Sequence, residues 1–240
     1  TVRVRKATDE TGGFDAGLWA GRAELGAFAM RVPEEAGGMG LGLFDAAILM
    51  EEAGRTLVTG PLAEQLVAAR LLAQLGGDAG ADLLERAIGG EAVVSIALAD
   101  VAAQPRQWVA GGAAAEAVIA RKGGSVVCIA VPESARKGEE TLANTALAEI
   151  DLGALDATEL ASGDDALATF AAAVEEDLQR HRACRPWPRS AAPGLRICLR
   201  AQGLRPAHRH LPGDFPSPRR FAVRYRRSKV PGVESYPRHP

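Results

Sequence analysis

At 240 residues, 47% of them hydrophobic, the chain can hold one large domain or two small ones, and with only 5% aromatics Ala, Leu and Val must build its core. No apolar run approaches the roughly 20 residues a membrane helix needs, the first ten residues mix both signs of charge with no signal-peptide core behind them, and Cys128, Cys184 and Cys198 have neither metal nor disulfide spacing, so no membrane and a reducing cytoplasm are expected. The net charge of −2 hides a division: residues 184–240 carry 13 of the 28 Lys/Arg, 10 of the 14 prolines and 3 of the 4 histidines, but of the 30 acidic residues only Asp214 and Glu234.

Phe14 to Met30 reads as a helix with Phe14, Leu18, Leu25 and Phe28 on one face. It ends in the glycine-rich turn Val32 to Gly40. Phe44 to Ala53 is a second amphipathic helix, stopped by Gly54. Gly60-Pro61 opens a third, since proline is tolerated in a first turn where its missing N–H costs nothing. That helix carries Leu62, Leu66, Ala69 and Ala73 and stops at Gly76-Gly77. Ala81 to Ile88 is a short fourth, closed by Gly89-Gly90. The period then changes. Ala92 to Leu98 has the size and composition of a buried strand, and Ala115 to Ala120 and Ser125 to Val131 form a hairpin across Arg121-Lys122-Gly123-Gly124. Leu147 to Leu152 adds a further strand, and Asp165 to about Arg180 turns helical again. Helices, then strands, then a helix predict an α+β chain rather than a doubly wound fold. Its segments are an all-α domain over 1–91, a small β-domain over 92–164, the start of a helix over 165–183, and a basic tail over 184–240 expected to be disordered.

Several residues invite sharper readings. Gly37-Gly38-Met39-Gly40 could cradle a phosphate, but it follows no strand and lacks the lysine of a phosphate loop, so an interhelix turn is preferred. Glu51-Glu52 is read as a solvated helix face rather than an acid–base pair, and Cys128 as a small core residue. Trp108 either stacks on a ligand or covers a strand edge. His208, His210 and the arginines around them would suit a metal or nucleic acid, although no motif spacing supports either.

In order and spacing, Leu25-Gly26, Val32-Pro33-Glu34-Glu35, Gly37 to Gly42, Met50 to Arg55, Gly60-Pro61 and Gly89 to Ala92 resemble the N-terminal domain of the acyl-CoA dehydrogenase family and its entry into the middle β-domain. The resemblance implies FAD-dependent α,β-dehydrogenation of an acyl-CoA thioester, with electrons passed to an electron-transfer flavoprotein, in a homo- or hetero-oligomer. In relatives a Thr-Glu-Pro-type loop and a Trp-Ile-Thr-Asn-Gly segment lie against the flavin. Here these correspond to Ile96 to Val101 and to Trp108 to Gly112, which makes Ala97, Leu98, Ala99, Trp108 and Ala110 the cofactor-binding candidates. Alanine stands at 99 and 110 where hydroxyl residues are expected, removing two hydrogen bonds of about 1 kcal/mol net each.

The family continues into a C-terminal helical bundle that supplies the carboxylate base, and residues 184–240 do not resemble it in the frame as read. Shifted by one base, their possible codons do. Arg200 to Arg209 then permit Glu-Arg-Lys-Ala-Phe-Gly-Arg-Pro-Ile, a family signature whose arginine commonly meets flavin pyrophosphate, and His210 to Arg220 permit Thr-Phe-Gln-Gly-Ile-Ser-His-Arg-Leu-Ala. Some positions are forced: Gln202-Gly203 allows only Lys or Arg, and Asp214-Phe215 only Ile or Thr. A frame change between about residues 170 and 184 accounts for the tail, leaving the chain without bundle or base. No catalytic residue and no metal ligand is assigned. The expected function is that of an acyl-CoA dehydrogenase-like flavoprotein inactive in this form. The alternatives are a non-catalytic partner subunit of a heteromeric acyl-CoA dehydrogenase and, as the weaker reading, a protein with a basic nucleic-acid-binding arm.

Overall fold

The computed structural model describes residues 14–55, 58, 60–139 and 146–178. The tail over 184–240, the end of the last helix and the question of a missing bundle lie outside them. The described part is α+β. Five helices, α1 (Ala16–Glu24), α2 (Leu43–Arg55), α3 (Leu62–Leu75), α4 (Gly77–Ile88) and α5 (Asp164–Ala172), accompany six strands, β1 (Val94–Ile96), β2 (Arg106–Val109), β3 (Ala117–Lys122), β4 (Ser125–Ala130), β5 (Ala148–Asp151) and β6 (Ala157–Ser162).

The first predicted helix is shorter than expected. Asp15 caps α1 by accepting the Leu18 N–H at 3.0 Å, but the helix ends at Leu25, and Gly26, with φ of 73°, turns the chain into a 3₁₀ segment, Ala27–Ala29. Leu25 is therefore 83% exposed instead of sharing the buried face with Phe28. Trp19 and Phe28 hold that face, with ring centroids 4.4 Å apart and Phe14 packed on the outside. Gly54 does not stop α2, which runs on to Arg55, where the guanidinium pairs with Glu52 at 2.6 Å and Glu51 at 3.9 Å on an exposed face. The helix expected from Ala81 begins four residues earlier, at Gly77.

The strands make two sheets, one in the order β1-β3-β4-β6 and a two-stranded sheet of β2 and β5. β1 runs parallel to β3, pairing Val94 with Ala117. β3 and β4 form the expected hairpin, Lys122 opposite Ser125, closed by Gly123 at φ of 60° and Gly124. Such a two-residue turn needs a positive φ that glycine adopts without penalty. β2 and β6 were not expected. β2 (Arg-Gln-Trp-Val) alternates exposed and buried residues and has few apolar ones. β6 is an edge strand whose residues are mostly exposed. Neither offers the apolar signal by which a buried strand is recognised.

The continuous apolar run of β3 has a physical reason: both faces of its sheet are covered. Ala117 and Ile119, with Val94, Ile96 and Val126, pack against Val67, Leu71 and Leu72 of α3, Leu84 of α4 and Phe170 of α5. Val118 and Ala120, with Val127 and Ile129, pack against Val109, Ala148 and Ile150 of the small sheet. Helices, four-stranded sheet and two-stranded sheet form three layers, and the first two share one core. Gln65, fully buried on α3, ties them: Nε2 donates to the carbonyls of Ala87 (2.9 Å) and Ala92 (3.0 Å), and Oε1 accepts the N–H of Val94 (2.7 Å).

Candidate functional site

The five candidate residues lie on two neighbouring segments, the end of β1 with its following loop and the end of β2 with its turn. Ala97 is fully buried in the core between the two sheets and extends the parallel ladder, its N–H donating to the Ile119 carbonyl at 3.0 Å. Its side chain and its amide are both committed to structure. Leu98 turns outward and is 50% exposed, and its N–H makes no hydrogen bond among the described residues. Trp108, 52% exposed, sits opposite Glu149 of β5. The Ala110 carbonyl accepts a short hydrogen bond from the Ser95 hydroxyl, fastening the turn after β2 to β1.

Ala99 is held by a residue that the sequence reading passed over. Gln107, 4% exposed, accepts the Ala99 N–H at Oε1 (3.0 Å), while its Nε2 donates to the carbonyls of Ala99 (3.2 Å) and Gln104 (3.0 Å). Only one orientation of the carboxamide satisfies this set, because the Ala99 N–H needs an acceptor and the two carbonyls need donors. Ser95 offered a signal, as a polar residue inside the predicted strand Ala92 to Leu98 that must find a partner when buried; Gln107 offered none, because β2 itself was not recognisable from the sequence.

Asp100 completes the loop's anchoring. Its Oδ1 accepts the N–H groups of Ala102 and Gly123, both at 2.9 Å, its Oδ2 lies 3.4 Å from Arg121 Nε, and the Val101 N–H donates to the Arg121 carbonyl at 2.9 Å. Hydrogen bonds from Gly123 and then Ala102, with the Arg121 charge, hold the Asp100 carboxyl below its ordinary range. The loop from 97 to 104 is thus latched to the β3–β4 turn on one side and to β2 on the other.

The glycine-rich turn of the helical half is no phosphate cradle. Its amides at Gly38, Met39, Gly40 and Leu41 donate to the carbonyls of Pro33, Ala29, Val32 and Met30 at 2.8–3.0 Å, so those donors face inward. Cys128 is partly buried on β4, and burial pushes its thiol up to about 11, a poor nucleophile at neutral pH. Among the described residues no cluster of His, Cys, Asp or Glu could hold a metal, and no helix is long and apolar enough to cross a membrane.

Residues 2–91 match the family profile described as Acyl-CoA dehydrogenase, N-terminal domain. The chain is also 38% identical over 127 residues to the acyl-CoA dehydrogenase IpdE2 of Mycobacterium tuberculosis, a match covering 52% of this chain and 37% of that protein. Over residues 2–91 the chain is therefore similar to the N-terminal domain of acyl-CoA dehydrogenases. It spans little more than a third of that relative's length. The same fold recurs in the ChsE4–ChsE5 complex from M. tuberculosis, at a TM-score of 0.61 and 18% identity, covering 95% of this chain and 68% of the other. It recurs also in PigA with FAD and proline, at a TM-score of 0.52 and 16% identity, covering 74% and 59%.

Tested as a family flavin site, the two segments fit poorly. They offer the apolar surfaces of Leu98 and Trp108 and the amides of Leu98 and Ala110. The side chains at 99 and 110 are methyls, the backbone of Ala99 is bonded to Gln107, and the Ala110 carbonyl is bonded to Ser95.

Proposed function

We propose that this chain is an acyl-CoA dehydrogenase-like subunit which keeps the family's helical and middle-domain scaffold but turns over little or no acyl-CoA in this form. The parent activity is FAD-dependent α,β-dehydrogenation of an acyl-CoA thioester, with an electron-transfer flavoprotein as acceptor. The single observation that carries the reading is the pairing of the 97–99 and 107–110 segments at the end of the middle sheet, where the motif correspondence puts the flavin loops. A general base must stand within hydrogen-bond reach of the proton it removes. No in-frame residue of this chain corresponds to the family's base, and the tail after residue 184 is the bundle read in a displaced frame.

The nucleotide sequence across codons 170–185 tests the frame. One inserted or deleted base, with the bundle signature restored downstream, is the expected result, and an undisturbed frame across the region sinks it. Activity is tested by adding acyl-CoA to the protein in the presence of excess FAD: bleaching of the flavin absorbance at a rate above that of FAD alone would refute the inactive reading.

The alanines at 99 and 110 favour a second reading, that of a non-catalytic partner in a heteromeric acyl-CoA dehydrogenase. A fold neighbour that is itself a complex of two differently named chains, ChsE4 and ChsE5, supports it. Co-expression with a neighbouring full-length homologue should then yield a stable complex. Recovery of this chain only as a homo-oligomer would remove the reading.

A further inference from the structure

We propose that Gln107 seals the loop after β1 against FAD, so that this chain holds no flavin of its own. The inference rests on the reading of residues 97–110 as the family's flavin loops, and it goes beyond the loss of two hydroxyls. A missing hydroxyl withdraws one hydrogen bond and leaves the backbone free to make others. Here the N–H and carbonyl of Ala99 and the carbonyl of Ala110 are taken as well, while the N–H groups of Leu98 and Ala110 make no hydrogen bond among the described residues.

The carboxamide of Gln107 presents one acceptor and two donors to the loop, and all three are used: Ala99 N–H, Ala99 carbonyl and Gln104 carbonyl, at 3.0, 3.2 and 3.0 Å. It does so from a site only 4% exposed, where a displaced amide finds no water to replace its partners. An incoming flavin edge would have to expel this side chain before it could bond to Ala99. Expulsion has little room, because Gln107 is fixed on β2 opposite Ile150 and the adjacent Asp100 turn is latched to Gly123 and Arg121. On the other side of the pair the Ser95 hydroxyl occupies the Ala110 carbonyl. The Ala99 backbone and the Ala110 carbonyl are satisfied by two buried side chains, and what faces outward is chiefly the apolar surface of Leu98 and Trp108.

The test uses the full chain and FAD itself, followed by flavin fluorescence and by co-elution in gel filtration. Wild-type protein should show no saturable binding, and Ala99→Thr alone should not create it. The double variant Ala99→Thr, Gln107→Met, which restores the hydroxyl and removes the seal without changing side-chain size, should bind FAD at least tenfold more tightly than Ala99→Thr. Hydrogen–deuterium exchange supplies a readout independent of flavin: the Ala99 amide should exchange slowly in the wild type and at least tenfold faster in Gln107→Met, with Ala120 and Val127 of the hairpin still protected. Stoichiometric FAD on the wild-type chain overturns the proposal even where a variant fails to fold. Fast exchange at Ala99 in the wild type overturns it by showing that the seal is absent. A folded double variant with a freed Ala99 that binds FAD no better also overturns it, and points instead to a failure of the underlying reading of these loops.

Discussion

The carboxamide oxygen of Gln65 accepts the backbone N–H of Val94 at 2.7 Å, joining the first turn of α3 to the first residue of β1 across a fully buried interface. The same side chain donates to Ala87 and Ala92, so one residue satisfies the end of α4, the entry to the sheet and the start of the parallel ladder. Gln65→Met keeps the volume but strands the Val94 N–H and the Ala92 carbonyl. An unmade buried hydrogen bond costs about 1–3 kcal/mol, so a loss on the order of 3 kcal/mol is expected. Urea denaturation measures it, and a loss within 0.5 kcal/mol, roughly the range of a neutral surface change, would contradict the role.

Gly111→Ala should be similarly severe for a different reason. Gly111 has φ of 74°, and a Cβ there would lie 2.3 Å from Cβ of the buried Pro61. The substitution combines a disfavoured backbone with a clash between the loop after β2 and the start of α3, and a loss on the order of 3 kcal/mol is expected. A thermal melt unchanged from wild type would show that this contact yields easily.

Asp100 predicts a pH dependence with a definite sign. Its folded carboxyl is held below the usual value by Gly123, Ala102 and Arg121. A depressed carboxylate stabilises the fold above its unfolded pKa of about 4, and the contribution disappears as pH falls through the lower folded value. The side chain is a quarter exposed, so screening keeps the effect modest. Asp100→Asn should therefore be less stable than wild type at pH 6, with the gap closing towards pH 3. A gap constant over that range would refute the assignment.

Cys128 should resist alkylation in the native protein, because burial raises its thiol to about 11 and leaves little thiolate at pH 8. Peptide mapping after iodoacetamide treatment should find Cys128 unmodified in buffer and modified in urea. Comparable labelling in both would mean that β4 opens far more readily than its buried neighbours Val127 and Ile129 suggest.

Much of this fold was legible from period and punctuation. The β3–β4 hairpin followed from two apolar runs around Gly123-Gly124, and α3 from Pro61 and its apolar residues. The failures have local causes. Leu25 matched the helical period, but Gly26 turned the chain before the period could act. β6 pairs at a sheet edge and β2 carries an arginine and a half-exposed tryptophan, so neither announces itself by hydrophobicity. At the candidate site, motif correspondence brought residues 97–99 and 108–110 together, as the structure does. It could not reveal Gln107, whose importance lies in which backbone groups its amide reaches.

The shared core has a consequence for how the chain acquires its structure. Much of the apolar face of α3 is covered by Val94, Ile119, Val126 and Phe170, which follow it in the chain, and β1 finds its sheet neighbour in β3, beyond the intervening β2. During synthesis the helices emerge first but lack the surface that covers them, whereas the β3–β4 hairpin can close locally on microsecond timescales. Order should therefore spread backwards along the chain, from the hairpin to β1 and then into the helices. A fragment ending at residue 91 should remain loosely packed and prone to self-association, although its sequence alone carries the family's profile.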